Sequence, residues 1–139
     1  MPSLPKRKRA TAIVEYPQGI LLALMRFMAP ALPGGGVHSG ESDEAAVIRE
    51  LREETGLRAT HVVFLFRHVS LANDHAVFWV IADGHPQASQ EVDRLGYYRP
   101  DAPIKVSPET KTLLDRFYQY RTAHPERFET RITDNQTPA

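Results

Sequence analysis

The chain has 139 residues, the length of a single domain, and its 42% hydrophobic residues can form a core, which excludes a wholly disordered chain. Seventeen Lys and Arg balance seventeen Asp and Glu, so no global basic field directs it to nucleic acid, and the absence of cysteine excludes disulfides, thiol nucleophiles and zinc–thiolate sites. No apolar run reaches the roughly 18 residues of a membrane span. Lys6-Arg7-Lys8-Arg9 ahead of apolar residues imitates a secretory leader, but Glu15, Pro17 and Arg26 interrupt it, and cytoplasmic residence is expected.

Residues 1–9, with two prolines and four consecutive cations, read as a basic flexible arm, followed by a domain over 10–121 and a polar tail over 122–139. Thr11 to Tyr16 and Ile20 to Met25 are β-type runs separated by Pro17-Gln18-Gly19, which predicts a hairpin. Pro30, Pro33 and Gly34-Gly35-Gly36 predict an irregular loop up to about Ser39. Asp43 to Thr55 lacks Gly and Pro and is rich in helix formers, with Ser42 or Asp43 as cap and Gly56 as stop. His61 to Val69 and His75 to Ala82 flank Asn73-Asp74 and predict a second hairpin. A turn-rich stretch runs from Asp83 to Pro103, with Tyr97-Tyr98 as a short strand. Ser107-Pro108 opens a last helix whose Leu113, Leu114, Phe117 and Tyr118 form an apolar stripe. Two helices covering a mixed sheet bury both stripes most simply, an α+β arrangement.

Chemistry concentrates in the first helix. Glu41 to Glu54 holds six acids against Arg49 and Arg52 in an otherwise neutral chain. At about 100° per residue, Glu50, Glu53 and Glu54 fall within one arc of the helix. Carboxylates so close repel one another unless a cation sits among them, and Mg²⁺ favours a few carboxylates together with substrate phosphates. The preceding glycines let backbone groups approach a phosphate chain or the metal. A solvated acidic face is the plain alternative for such a helix.

The spacing decides between them. Gly35, five residues, Glu41, seven residues, then Arg49-Glu50-Leu51-Arg52-Glu53-Glu54-Thr55-Gly56-Leu57 resembles the signature of the Nudix hydrolase family at every specified position. The order of elements around it is similar to that family's fold over roughly residues 8–120, which implies an α/β/α sandwich with a central mixed sheet. The resemblance implies hydrolysis of a nucleoside diphosphate linked to a group X, with Mg²⁺ or Mn²⁺ as cofactor. By position, Glu50, Glu53, Glu54 and the Gly34 carbonyl look like metal ligands. Arg49 looks like the arginine that orients the glutamates, and Glu41 like its brace. The proton-accepting carboxylate is Glu50, Glu53 or a glutamate of a later loop, where Glu91 is a candidate ligand or a plain loop residue.

Markers of the ADP-ribose, dinucleoside-polyphosphate and NADH subfamilies are absent: Ala72-Asn73-Asp74-His75 fill the window where the first two place theirs. The length resembles compact hydrolases of (deoxy)nucleoside triphosphates, although Pro30-Ala31-Leu32-Pro33-Gly34-Gly35 lacks the tryptophan usual ahead of that loop. Arg26 at a strand end, Gly35, Gly36 and His38 are candidate substrate contacts, with Arg26 equally readable as a solvated strand-end arginine and His38 more readily read as a bystander loop histidine. Trp79 and Phe78 read as core, and Tyr97 and Tyr98 as sheet-edge residues or base-stacking platforms. The partner expected is a small nucleotide, with neither membrane nor nucleic acid, and the resemblance allows a homodimer. Two other readings stay open: a nucleotide-sensing module without turnover, and an RNA 5′-end pyrophosphohydrolase using Lys6 to Arg9.

Overall fold

Ala10, Ala12 and Ile13 bury the second half of the first strand of the computed structural model, which describes residues 5–89 and 91–129. Strand β1 (Arg7–Ile13) runs parallel to β6 (Asn73–Asp83) and antiparallel to β4 (Gly34–Gly36). Strand β5 (Arg58–Val69) closes a four-stranded mixed sheet in the order β4-β1-β6-β5. A separate antiparallel sheet joins β2 (Glu15–Tyr16), β3 (Gly19–Leu24) and β7 (Arg94–Tyr98), in that order.

Helix α1 (Asp43–Thr55) starts where Ser42 accepts a hydrogen bond from the Ala45 N–H at 3.0 Å and stops at Gly56, whose φ of 74° closes the last turn. Its Ala46, Val47 and Leu51 pack on the face of the mixed sheet formed by Ala10, Ala12, Ala76, Phe78 and Val80. Alanines at that contact let the helix backbone come close, which carries its acidic edge up to the glycine strand. Two β-bulges, between Ala59 and His61 and between Phe64 and Phe66, break the alternation of β5, so that Leu65 and Phe66 are both buried.

The second unit is helix α2 (Pro108–Ala123) followed by a 3-10 turn, Pro125–Phe128. Within it Phe128 meets Phe117 edge-on at 5.9 Å, and the Arg121 guanidinium lies 5.0 and 4.8 Å from the two ring centres.

Several expectations change. The basic arm is strand from Arg7 onward, and Lys6 Nζ donates to the carbonyls of Ser70 and Leu71 at 2.8 and 3.0 Å; residues 1–4 lie outside the described residues. The first hairpin divides at Val14: only Glu15 and Tyr16 pair with β3, while the strand before them belongs to the other sheet. Gly34–Gly36 is strand rather than loop, because β1 supplies backbone partners where no side chain intervenes. The turn of the second hairpin precedes Asn73, so Asn73 and Asp74 belong to β6. The polar tail begins later than expected, since aromatic packing carries ordered chain to Phe128; residues 130–139 lie outside the described residues.

Candidate active site

Everything in the site hangs on the contact between α1 and β4. Pairing of Gly35 with Ala10 on β1 turns Gly35 toward the helix, where a Cβ would lie 2.5–2.6 Å from the Glu50 carboxyl. Only glycine lets that carboxylate come so near the backbone. One residue earlier, the Gly34 N–H donates to Glu54 Oε1 at 3.2 Å.

Arg49 organises the remaining acids. Its Nε and Nη2 donate to the two oxygens of Glu41 at 2.7 and 3.0 Å, a two-pronged pairing. Nη2 also donates to the Gly36 carbonyl at 3.0 Å, and Nη1 to Glu50 and Glu53, both at 3.0 Å. Glu41 in turn accepts from the His38 N–H at 3.0 Å, which ties the loop to the helix. Hydrogen bonds from Arg49, then from the His38 backbone, hold Glu41 down at about 2, and the same Glu41 contact raises Arg49.

Glu54 behaves in the opposite way. It is only 4% exposed. Burial pushes its carboxyl up to about 8; the Gly34 N–H pulls it down, while a shared hydrogen bond with Glu50 and the charge of Glu50 raise it again. Two carboxyls pressed together in a buried position, beside backbone with no side chain, form an oxygen-rich donor set suited to a hard divalent cation.

The three glutamates of the acidic arc do not all converge. Glu53 is 56% exposed and faces Arg49, because one residue of helix turns it about 100° from Glu54. Among the described residues no three His, Asp or Glu side chains gather into a metal-binding group. Glu91 is exposed, on the turn before buried Val92. Its loop is nonetheless tied to the end of α1, since Gln87 N–H donates to the Thr55 carbonyl and Ser89 N–H to that of Glu54. The side chain of His38 is 67% exposed, and Arg26 makes only a long 4.0 Å ion pair with Asp93 at the surface. Trp79 and Phe78 are core, as expected, and the indole N–H donates to Glu15 at 3.0 Å. Tyr97 meets Tyr16 edge-on at 5.9 Å.

Arg9, read from the sequence as part of a flexible arm, stands on β1 next to β4. The signal was its place immediately before the apolar run of β1, where a strand residue alternates with Ala10 and Ala12.

The site belongs to a hydrolase acting on pyrophosphate bonds, the class to which the comparisons with known proteins assign the chain. The chain belongs to the Nudix family: the model of the NUDIX domain matches residues 5–117. It is 34% identical over 125 residues to a CTP pyrophosphohydrolase of Escherichia coli, covering 82% of this chain and 93% of that protein. It is also 34% identical to an RNA pyrophosphohydrolase of Cereibacter sphaeroides, over 61% of this chain and half of that protein. The structure of a Nudix-family chain from Chromobacterium violaceum superposes with a TM-score of 0.79 at 38% identity, covering 87% of this chain and 81% of that one. The mixed sheet and helices are thus those of the α+β Nudix fold, and no helix among the described residues is long and apolar enough to cross a membrane.

Proposed function

We propose that the chain is a Mg²⁺-dependent pyrophosphohydrolase of (deoxy)nucleoside triphosphates, with a pyrimidine triphosphate such as CTP as the favoured substrate. The observation that carries this reading is the buried Glu54 carboxyl pressed against Glu50 beside Gly34 and Gly35. Likeness to the E. coli CTP pyrophosphohydrolase, over nearly the whole of both chains, supports the substrate class.

Glu50 and Glu54 would hold the cation, with Glu53 joining once its ion pair with Arg49 opens; the Gly34 carbonyl and Glu91 are the further ligands proposed. When bound, a divalent cation neutralises phosphoryl oxygens and lowers the pKa of water. The chain's own residues do the rest. Arg49 fixes the rotamer of Glu50 by its Nη1 bond and anchors itself on Glu41, so the carboxylate is oriented before substrate arrives. Gly36, where a Cβ would meet nothing within 4 Å, admits the phosphate chain against bare backbone, and Gly35 seats Glu50 beside it, with Arg26 and His38 as rim contacts. A carboxylate of the cluster accepts the proton of the attacking water. The new P–O bond forms as the anhydride P–O bond breaks, leaving two phosphate-ended products.

RNA 5′-end hydrolysis is the second reading, favoured by the likeness to the C. sphaeroides enzyme and by the exposed Arg7 and Lys8. One experiment separates the readings. Mg²⁺-dependent turnover is measured over (d)NTPs, nucleoside diphosphate sugars, ADP-ribose, dinucleoside polyphosphates and 5′-triphosphate RNA, with Glu54→Gln as control. Turnover of CTP that disappears in the variant is the expected result. Preference for RNA would select the second reading, and binding without any turnover would point to a nucleotide sensor.

A further inference from the structure

Arg9 is half-buried on β1, and among the described residues neither a hydrogen bond nor an ion pair holds its guanidinium. Leaving a guanidinium partly desolvated without an acceptor is costly. The acids around it do not relieve it. Asp74, one register step away, is taken by Arg67 at 3.0 Å, and Glu54 acts on Arg9 through its charge without a hydrogen bond. Lys6, which precedes it on the chain, is satisfied by two carbonyls. The five donors of Arg9 are therefore left without a direct acceptor.

Position says which anion. In register, Arg9 stands opposite Gly36 on β4 and beside His75 on β6. A Cβ built on Gly36 would meet nothing within 4 Å, so open space adjoins Arg9 on the side of the glycine strand. Across that strand lies Glu54, whose carboxyl feels the positive charge of Arg9. The vacant cation thus borders the carboxylate pair, on a rigid central strand rather than on a loop. A guanidinium fork matches two oxygens of a phosphate, and a ligand bringing several phosphates past Gly36 would supply them.

We propose that Arg9 is a substrate-binding residue that grips the phosphate chain of the nucleotide where it passes Gly36. This rests on the pyrophosphohydrolase reading above and adds a residue outside the glutamate-bearing segment.

The test is calorimetric binding of the α,β-methylene analogues of CTP and ATP in the presence of Mg²⁺, so that no turnover intervenes. The wild type is compared with Arg9→Gln, Arg9→Lys and Lys105→Gln, the last an exposed cation far along the chain. Arg9→Gln is expected to weaken both analogues about tenfold and by the same factor, since a phosphate contact ignores the base. Arg9→Lys should fall between, and Lys105→Gln within twofold of the wild type. Melting temperatures serve as the folding check, and Arg9→Gln should not lower its own, because it removes no partner. If the wild type binds and Arg9→Gln binds equally well, the inference is wrong while the enzyme reading stands. A loss confined to one base would overturn it too, by making Arg9 a base reader. Should Arg9→Gln fail to fold, undiminished binding by Arg9→Lys with a lowered melting temperature would assign Arg9 a structural role instead. No binding of either analogue to the wild type would bring down both readings together.

Discussion

Replacing Gly35 by alanine separates the integrity of the site from that of the fold. The new Cβ would stand 2.5 Å from Glu50 Cδ and 2.6 Å from both carboxylate oxygens, against an ordinary contact of about 3.5 Å. Glu50 must therefore move by nearly 1 Å, and its side chain can do so without moving backbone. The loss is one charge-assisted bond from Arg49, about 1.5 kcal/mol or more, partly offset by roughly 0.5–1 kcal/mol from stiffening the unfolded chain. Melting should then fall by no more than about 4 °C, whereas a displacement of that size at a reacting centre costs about a hundredfold in kcat/KM. Gly34→Ala provides the contrast: its Cβ would run into the Ala10 carbonyl oxygen and lie 2.9 Å from Thr11 Cα, at a φ of 150°. Backbone cannot step aside there, and a cost of about 3 kcal/mol is expected. Differential scanning calorimetry alongside steady-state hydrolysis of CTP reads both quantities. Gly35→Ala retaining activity within threefold of the wild type would refute the claim that the glycine exists to seat Glu50.

Ser42→Ala removes the cap of α1 and should cost about 1 kcal/mol, seen as a lower midpoint in urea with an unchanged slope. Leu51→Ala empties a side chain that is 1% exposed beneath the same helix, and a loss of about 2–5 kcal/mol is expected by the same measurement. Arg49→Lys keeps the charge but not the fork to Glu41; activity should drop at least about tenfold, and a carbon-13 NMR titration should find the Glu41 carboxyl moving back up toward 4.5. In the wild type that depressed carboxyl stabilises the fold fully above pH 4.5, and the contribution is lost as pH falls through about 2. A Glu41 that titrates at an ordinary value in the wild type would contradict the clasp.

How much of this could be read from the sequence depended on how local each signal is. The bounds of α1 and its Gly56 stop are encoded within the helix and its flanks and stand as read, and of the two cap candidates Ser42 rather than Asp43 is the cap. Core placement of Phe78 and Trp79 follows from an apolar strand in the same way. Non-local pairing hid the rest. Gly34-Gly35-Gly36 carries every mark of a loop, and only β1, more than twenty residues upstream, makes it a strand. Arg7 to Arg9 look like a solvated tail until β6 pairs with them from sixty-six residues away. Spacing placed Glu50, Glu53 and Glu54 on one arc, but the arc says nothing of an arginine at 49 that draws Glu53 outward while Glu54 sinks inward.

The parallel ladder between β1 and β6 bears on the order in which the molecule assembles. β5 and β6 are joined by a short turn and can zip locally, whereas β1 must wait for a segment made much later in the chain. β4 has its ladder partner in β1 alone among the described strands, so the glycine strand has no template until β1 is in place. The carboxylate seat at Gly34 and Gly35 therefore forms only once β1 has paired with β4. A chain whose β1 and β4 are unpaired would carry the hairpin and the helix but no seat for Glu50, so activity is expected only from molecules whose sheet is finished.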